Sequence, residues 1–208
     1  MLDIVLILDE SISMQDYSKF YIQGVNKFIT SQKMMNPMSA FTLIKFSTTI
    51  NTLCVDSQMY TLPAFTPVHY QPEGRASLYD AIGHGIDLKY KKSLNVIMII
   101  ITNGEDNHSH KYTVETIAEK IKCIKGKGWE FMFISTNPNV THTGTRLNID
   151  NCLASNTTRK SIYQVVDACN IAIGHVLHKL LGVPNKYTDQ TIPTDVRDLM
   201  FNFDKFTI

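Results

Sequence analysis

Three small oxygen-bearing side chains end the first apolar stretch of the chain, in the pattern Asp-x-Ser-x-Ser. They are Asp9, Ser11 and Ser13, and they directly follow the apolar run 4–8. One carboxylate and two hydroxyl groups suit Mg²⁺, Mn²⁺ or Ca²⁺ better than zinc or copper, because all three donors are oxygens. Serine and aspartate also begin helices and build turns, so a second interpretation is that they only cap the helix that follows.

The residues before this cluster are expected to form the strand that positions it. The run 4–8 is apolar throughout and rich in Ile and Val, which is typical of a parallel strand buried on both faces. A second apolar run, 95–101, is also followed by a polar cluster, 102–106. Because ligands bind beyond the carboxyl ends of strands in an open α/β sheet, we expect these two ends to face one crevice.

Helices and strands alternate along the rest of the chain. Apolar residues at helical spacing predict helices over 16–33, 76–90, 113–125, 143–147 and 159–181. β-rich runs predict a hairpin, a third buried strand and a short edge strand, over 40–46 with 50–55, 129–135 and 152–154. This alternation predicts a three-layer α/β domain, with a mostly parallel sheet, one antiparallel edge strand and helices on both faces.

Composition narrows the classes of partner. The chain has 208 residues, of which 44% are hydrophobic, and this predicts one globular domain with a sizeable core. Its formal net charge of +1 gives no indication of a nucleic acid or an anionic membrane as a partner. Two lysine-rich pieces, 89–92 and 120–127, are expected to be solvated helix ends.

The remaining sequence-wide features concern the cellular compartment. The four cysteines lack the spacing of a metal site, and reduced thiols are expected. The sequence begins on a strand, with no signal-type segment and no apolar span of 18 residues. A cytoplasmic protein is therefore predicted.

Three segments, in a fixed order, resemble the von Willebrand factor A (vWA) domain and its metal-ion-dependent adhesion site. They are the Asp-x-Ser-x-Ser cluster, the sequence GRASLYDAIG over 74–83 and the strand end ITNGEDN over 101–107. The resemblance is closest to compact intracellular members, and it implies a Rossmann-like fold. It divides the chain into a vWA domain over 1–182 and a C-terminal extension over 183–208.

The resemblance also implies Mg²⁺, or Mn²⁺ or Ca²⁺, at the carboxyl edge of the sheet. In the family the two serines, here Ser11 and Ser13, bind the ion directly. The aspartate of the same loop, here Asp9, acts mostly through water or hydrogen bonds. A partner protein commonly supplies the last ligand from an Asp or Glu side chain.

Two positions depart from the family pattern. The threonine of the second loop falls on Ala76, which has no oxygen, so the adjacent Ser77 is the candidate replacement. The aspartate of the third loop falls on Asn103, which keeps a carbonyl oxygen but lacks the charge. Weaker metal binding is expected unless Glu10, Glu105 or Asp106 contributes a carboxylate, and complete loss of the metal is the alternative.

The leading hypothesis is a protein-binding module that is not an enzyme. The Asp-x-Ser-x-Ser loop and the loops 74–80 and 103–107 would hold a partner protein that offers an Asp or Glu, with Mg²⁺ assisting. One alternative is a structural or assembly protein with a degenerate metal site, which Ala76 and Asn103 favour. The apolar cluster in 199–206 supports that alternative, because it predicts that the extension packs on the domain or joins copies into a homo-oligomer.

A third, less favoured hypothesis is a phosphatase-like hydrolase with Asp9 as the nucleophile. The general acid of such enzymes would fall on Ser11, which cannot act as an acid.

The other polar residues around the site are expected to have structural roles or to be solvated. Solvated loop charges are expected at Glu105 and Asp106, exposed imidazoles at His108 and His110, and helix-positioning roles at Tyr79 and Asp80.

Overall fold

The computed structural model describes residues 1–91, 95–103, 105–137, 139–154 and 159–182. Strands and helices alternate along them, with short 3-10 turns between some elements. The strands are β1 (Asp3–Asp9), β2 (Ala40–Phe46), β3 (Ile50–Gln58), β4 (Val96–Thr102), β5 (Glu130–Ser135) and β6 (Asn151–Ala154). The helices are α1 (Ser18–Met35), α2 (Leu78–Lys89), α3 (Val114–Lys125), α4 (Val140–Arg146) and α5 (Arg159–Leu181).

The strands form one sheet in the order β3-β2-β1-β4-β5-β6. Every neighbouring pair is parallel except β2 and β3, which are antiparallel. β1 lies in the middle, where Leu6 pairs with Leu43 of β2 on one side and with Ile99 of β4 on the other. The predicted mostly parallel sheet with one antiparallel edge strand is confirmed.

Side chains of β1 alternate between two hydrophobic cores, as the period of two residues in a strand requires. Leu6 belongs to the core under α1 and α5, whereas Val5 and Ile7 belong to the core under α2 and α3. Both faces of the central strand are therefore covered by helices. This burial explains why β1 has an uninterrupted apolar run instead of an alternating one.

The element bounds differ from the predictions at a few ends. The first helix is preceded by a 3-10 turn, Ile12–Tyr17, and α1 itself begins only at Ser18. β3 extends to Gln58, three residues beyond the predicted end of the hairpin. The C-terminal extension over 183–208, and with it the predicted homo-oligomer, lies outside the described residues.

The expectation that Lys89 is a solvated helix end is wrong. Its side chain is fully buried, and Nζ lies 2.9 and 2.8 Å from the two carboxylate oxygens of Asp3 and also contacts Asp56. Lys89 follows Ile86 by three residues, so it lies on the buried face of α2. The ion pair ties the end of α2 to the first residue of β1, at the edge of the sheet opposite to the carboxyl ends.

A pH effect on stability is expected from His84 of α2, whose Nε2 lies 3.0 Å from the Thr52 hydroxyl of β3. Partial burial, with a smaller contribution from Lys111, lowers the pKa of His84. The unfolded chain therefore binds this proton more readily than the folded protein, and stability is lost as the pH falls below the unfolded value of about 6.5. Urea unfolding at several pH values should show a smaller acid loss in His84→Gln than in the wild type. Parallel pH profiles would contradict this assignment.

None of the described helices has the length and apolarity that crossing a bilayer requires.

Candidate functional site

The carboxyl ends of β1 and β4 bring the predicted site residues together at one edge of the sheet. The two strands are parallel neighbours and Leu8 pairs with Ile101, so Asp9 and Thr102 end side by side. The loops that follow them carry Ser11 and Ser13 on one side and Asn103 on the other. The two strand ends predicted to meet therefore lie side by side at one edge of the sheet.

Asp9 supports the loops from beneath and is inaccessible from outside. It is fully buried, its Oδ1 accepts a hydrogen bond from the Ser11 amide at 2.7 Å, and its Oδ2 accepts one from the Thr102 hydroxyl at 2.6 Å. Burial raises the pKa of Asp9, although hydrogen bonds from Thr102, Ser11 and the Asn103 backbone lower it in part. Because both carboxylate oxygens are occupied and enclosed, this geometry argues against the hydrolase hypothesis, in which Asp9 attacks a substrate.

Thr102 is a residue of the site that the predicted ligand set did not include, although it belongs to the polar cluster 102–106. It ends the apolar run of β4 with a polar side chain that is buried, and its register opposite Asp9 makes the hydrogen bond possible. The available signal was its position as the first polar residue after that run.

Three oxygen atoms meet above Asp9, and we call them the oxygen cluster: Ser11 Oγ, Ser13 Oγ and Asn103 Oδ1. The two serine oxygens are 3.0 Å apart, and the Ser13 hydroxyl donates to Asn103 Oδ1 at 2.9 Å. Asn103 Nδ2 in turn donates to the Ser13 carbonyl at 2.8 Å. Ser11 is buried, Ser13 is exposed and Asn103 is half-buried, so the cluster opens to solvent on one side.

The interpretation of these serines as helix caps is wrong. Ser11 occupies the N-cap position of the 3-10 turn and Tyr17 that of α1, but neither end has a capping hydrogen bond from a side chain. The hydroxyls of Ser11 and Ser13 face each other and Asn103 instead. Their presence therefore needs a reason other than helix initiation.

The spacing of the oxygen cluster fits a small divalent cation. Adjacent ligands of an octahedral Mg²⁺ with bonds of 2.0–2.1 Å are about 3.0 Å apart. The two oxygen–oxygen contacts of 3.0 and 2.9 Å match that edge. All three donors are neutral and the nearby carboxylate of Asp9 lies behind them, so the donor set suits a hard cation held with modest affinity.

Other acidic side chains near the edge have different partners. Glu10 is buried, pairs with Lys45 at 2.7 Å and accepts the Gln71 amide, so it anchors the loop before α2. Glu105 is exposed, as expected. Among the described residues, no three His, Cys, Asp or Glu side chains form a group that could hold a metal.

Ser77, the candidate replacement for the second-loop threonine, points elsewhere. Its hydroxyl is buried and lies 3.4 Å from the Thr48 carbonyl and 3.3 Å from the His108 carbonyl. Among the described residues its hydrogen bonds go to these carbonyls and not to the oxygen cluster. Within the predicted ligand set, Ser13 thus contacts both Ser11 and Asn103, and Ser77 lies outside these contacts.

Side chains from the loop after β4 cap the first turn of α2. The N-cap position, Ser77, makes no side-chain capping bond. The Tyr79 amide donates to Asp106 Oδ1 at 3.3 Å, and the Asp80 amide donates to Ser109 Oγ at 3.0 Å. Asp106 is therefore a structural acceptor, and the expectation that it is a solvated loop charge is wrong.

Asp80 completes this cap in the opposite direction. Its carboxylate accepts the backbone N–H groups of His110 at 2.9 Å, Lys111 at 2.9 Å and Tyr112 at 2.8 Å. The second and third loops of the site therefore hold each other, each supplying acceptors for the other's amides. The expected positioning role of Asp80 extends to the neighbouring loop.

The comparisons with known proteins agree on the fold alone. No family model and no curated protein matches the chain. Among solved structures, the PilB minor pilin from Streptococcus sanguinis matches with a TM-score of 0.65 and 13% identity, over 87% of this chain and 63% of the pilin. The pilus adhesin SpaC from Lactobacillus rhamnosus GG matches with a TM-score of 0.61 and 14% identity, over 80% of this chain and 29% of SpaC.

A third match has almost the same size as the domain. The SpRpn10 VWA domain gives a TM-score of 0.57 and 14% identity, over 80% of this chain and 94% of that domain. The chain thus spans less than two thirds of the adhesin and of the pilin. At these identities the likeness shows a common fold.

Proposed function

Because this chain has the von Willebrand factor A fold, we propose that it is a protein-binding module that holds its partner at the carboxyl edge of the sheet. The binding face consists of the Asp-x-Ser-x-Ser loop and the loops 74–80 and 103–107. The partner offers an Asp or Glu side chain to the oxygen cluster, with Mg²⁺ assisting. The module binds and does not catalyse, since the one carboxylate at its centre is enclosed.

The observation that carries this proposal is the contact among Ser11, Ser13 and Asn103. Two loops that are 90 residues apart in sequence place the Ser13 oxygen 3.0 Å from Ser11 Oγ and 2.9 Å from Asn103 Oδ1, on a side that opens to solvent. Two serines and an asparagine would hold the cation, which supplies a positive charge to attract a carboxylate from outside. Asp9 and Thr102 keep Ser11 and Asn103 in place from beneath.

Removing one hydroxyl of the oxygen cluster should abolish cation binding. Ser13 is exposed, so Ser13→Ala is expected to leave the fold intact while removing a ligand. The matched control is Thr141→Ala, which removes an exposed hydroxyl from α4. Calorimetric titration with Mg²⁺ and Mn²⁺ should show binding in the wild type and in the control but not in Ser13→Ala. Identical titrations for the three proteins would refute the metal assignment.

The partner chemistry can be tested without knowing the partner. Random peptides displayed on phage are selected on the wild-type domain with Mg²⁺ present, and the selected sequences should be enriched in Asp and Glu. Their binding should be lost in EDTA and on the Ser13→Ala domain but retained on Thr141→Ala. Peptides that bind all three proteins equally would place the binding face elsewhere.

A further inference from the structure

Two histidines in the segment that follows β4 have their side chains in contact. The ring centres of His108 and His110 are 4.6 Å apart, and the ring planes are inclined at 73°. His110 is exposed, as expected, whereas His108 is half-buried. The hydrogen bonds that these two histidines make among the described residues use backbone atoms, so the ring nitrogens are available to a ligand. Neutral imidazole is the commonest metal ligand in proteins.

Backbone contacts hold both histidines in place without any ion. The His108 amide donates to the Ala76 carbonyl at 3.0 Å, and the His108 carbonyl accepts from Ser77 Oγ at 3.3 Å. The His110 amide donates to Asp80 Oδ2 at 2.9 Å. Because the backbone is fixed at both histidines, little conformational entropy is lost when both rings bind one ion.

The separation of the two rings fits two imidazoles on one metal ion. Because a metal–nitrogen bond is about 2.0–2.1 Å long and the ring centre lies about 1.1 Å beyond the nitrogen, two imidazoles at a right angle on one ion have centres about 4.5 Å apart. At a tetrahedral angle the same distance is about 5.2 Å. The observed 4.6 Å lies between these values. Rotation about χ2, a soft torsion in histidine, redirects the ring nitrogens and leaves the ring centres in place.

We propose that His108 and His110 bind a divalent transition metal, Zn²⁺, Cu²⁺ or Ni²⁺, through one nitrogen of each ring. Imidazole suits these ions, whereas the hydroxyl and amide oxygens of the oxygen cluster suit Mg²⁺, so the two sites select different ions. The site uses no atom of the oxygen cluster and goes beyond the proposed function.

The surroundings of the pair favour a cation and leave it accessible. The carboxylates of Asp80 and Asp106 accept amide N–H groups from the same segment, so negative charge lies at the loop that carries the two rings. Among the residues that the structure describes, no third His, Cys, Asp or Glu side chain completes a metal-binding group. Water, or a donor group of a second molecule, therefore fills the remaining coordination positions.

The first test is calorimetric titration of the full chain with Zn²⁺ in the presence of excess Mg²⁺. His108→Gln and His110→Gln should each weaken Zn²⁺ binding at least tenfold, since even the loss of a group that only orients a metal ligand costs about 10–100-fold. Two controls should bind Zn²⁺ as the wild type does: His142→Gln, which removes an exposed imidazole from α4, and Cys123→Ser, which removes an exposed thiol from α3. Equal affinity in the wild type and in both loop variants would overturn the proposal.

The second test identifies the ligands and separates this site from the oxygen cluster. Electron paramagnetic resonance of bound Cu²⁺ should show two coordinated imidazoles in the wild type and one in His110→Gln, and a single imidazole in the wild type would overturn the proposal. Ser13→Ala should keep the Zn²⁺ affinity of the wild type, and its loss there would refute a separate site. Failure of the Mg²⁺ titration or of the peptide selection counts against the proposed function and leaves the two-histidine site unaffected.

Discussion

Replacing Lys89 with methionine should lower the free energy of unfolding by about 3–5 kcal/mol, because it leaves buried carboxylate charge without a partner. Lys89 is fully buried, and Asp3, which contacts it through both oxygens, is only 5% exposed. The side chain of Asp56, the second acidic partner, is 42% exposed and can turn to water. The uncompensated charge of Asp3 therefore accounts for most of the expected loss of stability.

The measurement is urea unfolding followed by circular dichroism, with Lys120→Met as the matched control. Lys120 pairs with Asp87 at 2.8 Å, but both side chains are more than a third exposed, so this substitution should cost less than about 1 kcal/mol. Adding Asp3→Leu to Lys89→Met should recover most of the stability, because an apolar pair carries no desolvation penalty. If Lys89→Met lowers the free energy of unfolding by less than about 1 kcal/mol, the prediction is wrong, and water stabilises the charge of Asp3 in the variant.

The strands and long helices were predictable from the sequence because their signals are local and strong. The runs 4–8 and 96–101 are uninterrupted and apolar, and both form central parallel strands. The helix over 159–181 was predicted with its observed bounds, since its apolar stripe spans six turns. The start of α1 was misplaced because residues 12–17 form a 3-10 turn, and this turn carries no periodic signal of its own.

The errors concern charged residues whose partners are distant in sequence. Lys89 looked like a solvated helix end, but its partner Asp3 is 86 residues away and only the folded sheet brings them together. Asp106 looked like a loop charge, but it accepts the Tyr79 amide from a segment 27 residues earlier. Spacing along the chain cannot reveal such contacts, because it reports only which residues share an element or a loop.

The candidate site falls between these two cases. Ser11, Ser13 and Asn103 could be predicted because the motif gives their order along the chain. The two strands before them place all three at the carboxyl edge of the sheet. Ser77 does not join them, since a shift of one residue at the start of a helix re-aims the side chain, and its hydroxyl faces the carbonyls of Thr48 and His108. The mutual capping of the second and third loops carries no sequence motif, and only the structure reveals it.

That capping predicts a second large effect, from Asp80→Ala. The substitution removes the acceptor of three backbone N–H groups, at His110, Lys111 and Tyr112. A lost hydrogen bond to a charged acceptor costs about 1.5–3 kcal/mol, and water partly replaces the bonds of the two exposed residues, so we expect a total loss of about 2–4 kcal/mol. Hydrogen exchange at these three amides should accelerate more than exchange in β1.

The control is Asp87→Ala, on the same helix. Asp87 pairs with Lys120 and Lys111 at the surface, where ion pairs contribute little, so its loss should cost less than about 1 kcal/mol and leave the amides of 110 and 111 unchanged.

Asp80→Ala should also weaken Mg²⁺ binding at the oxygen cluster, even though Asp80 contacts none of its members. The segments 76–80 and 105–112 are joined by bonds in both directions, and the bonds from residues 110–112 disappear with the carboxylate. Asn103 then samples positions in which Oδ1 no longer lies 2.9 Å from the Ser13 hydroxyl. Part of the binding free energy of a cation is then used to restore that distance, and the affinity falls. If exchange at 110–112 accelerates while the Mg²⁺ affinity stays the same, the cap supports the helix and not the site.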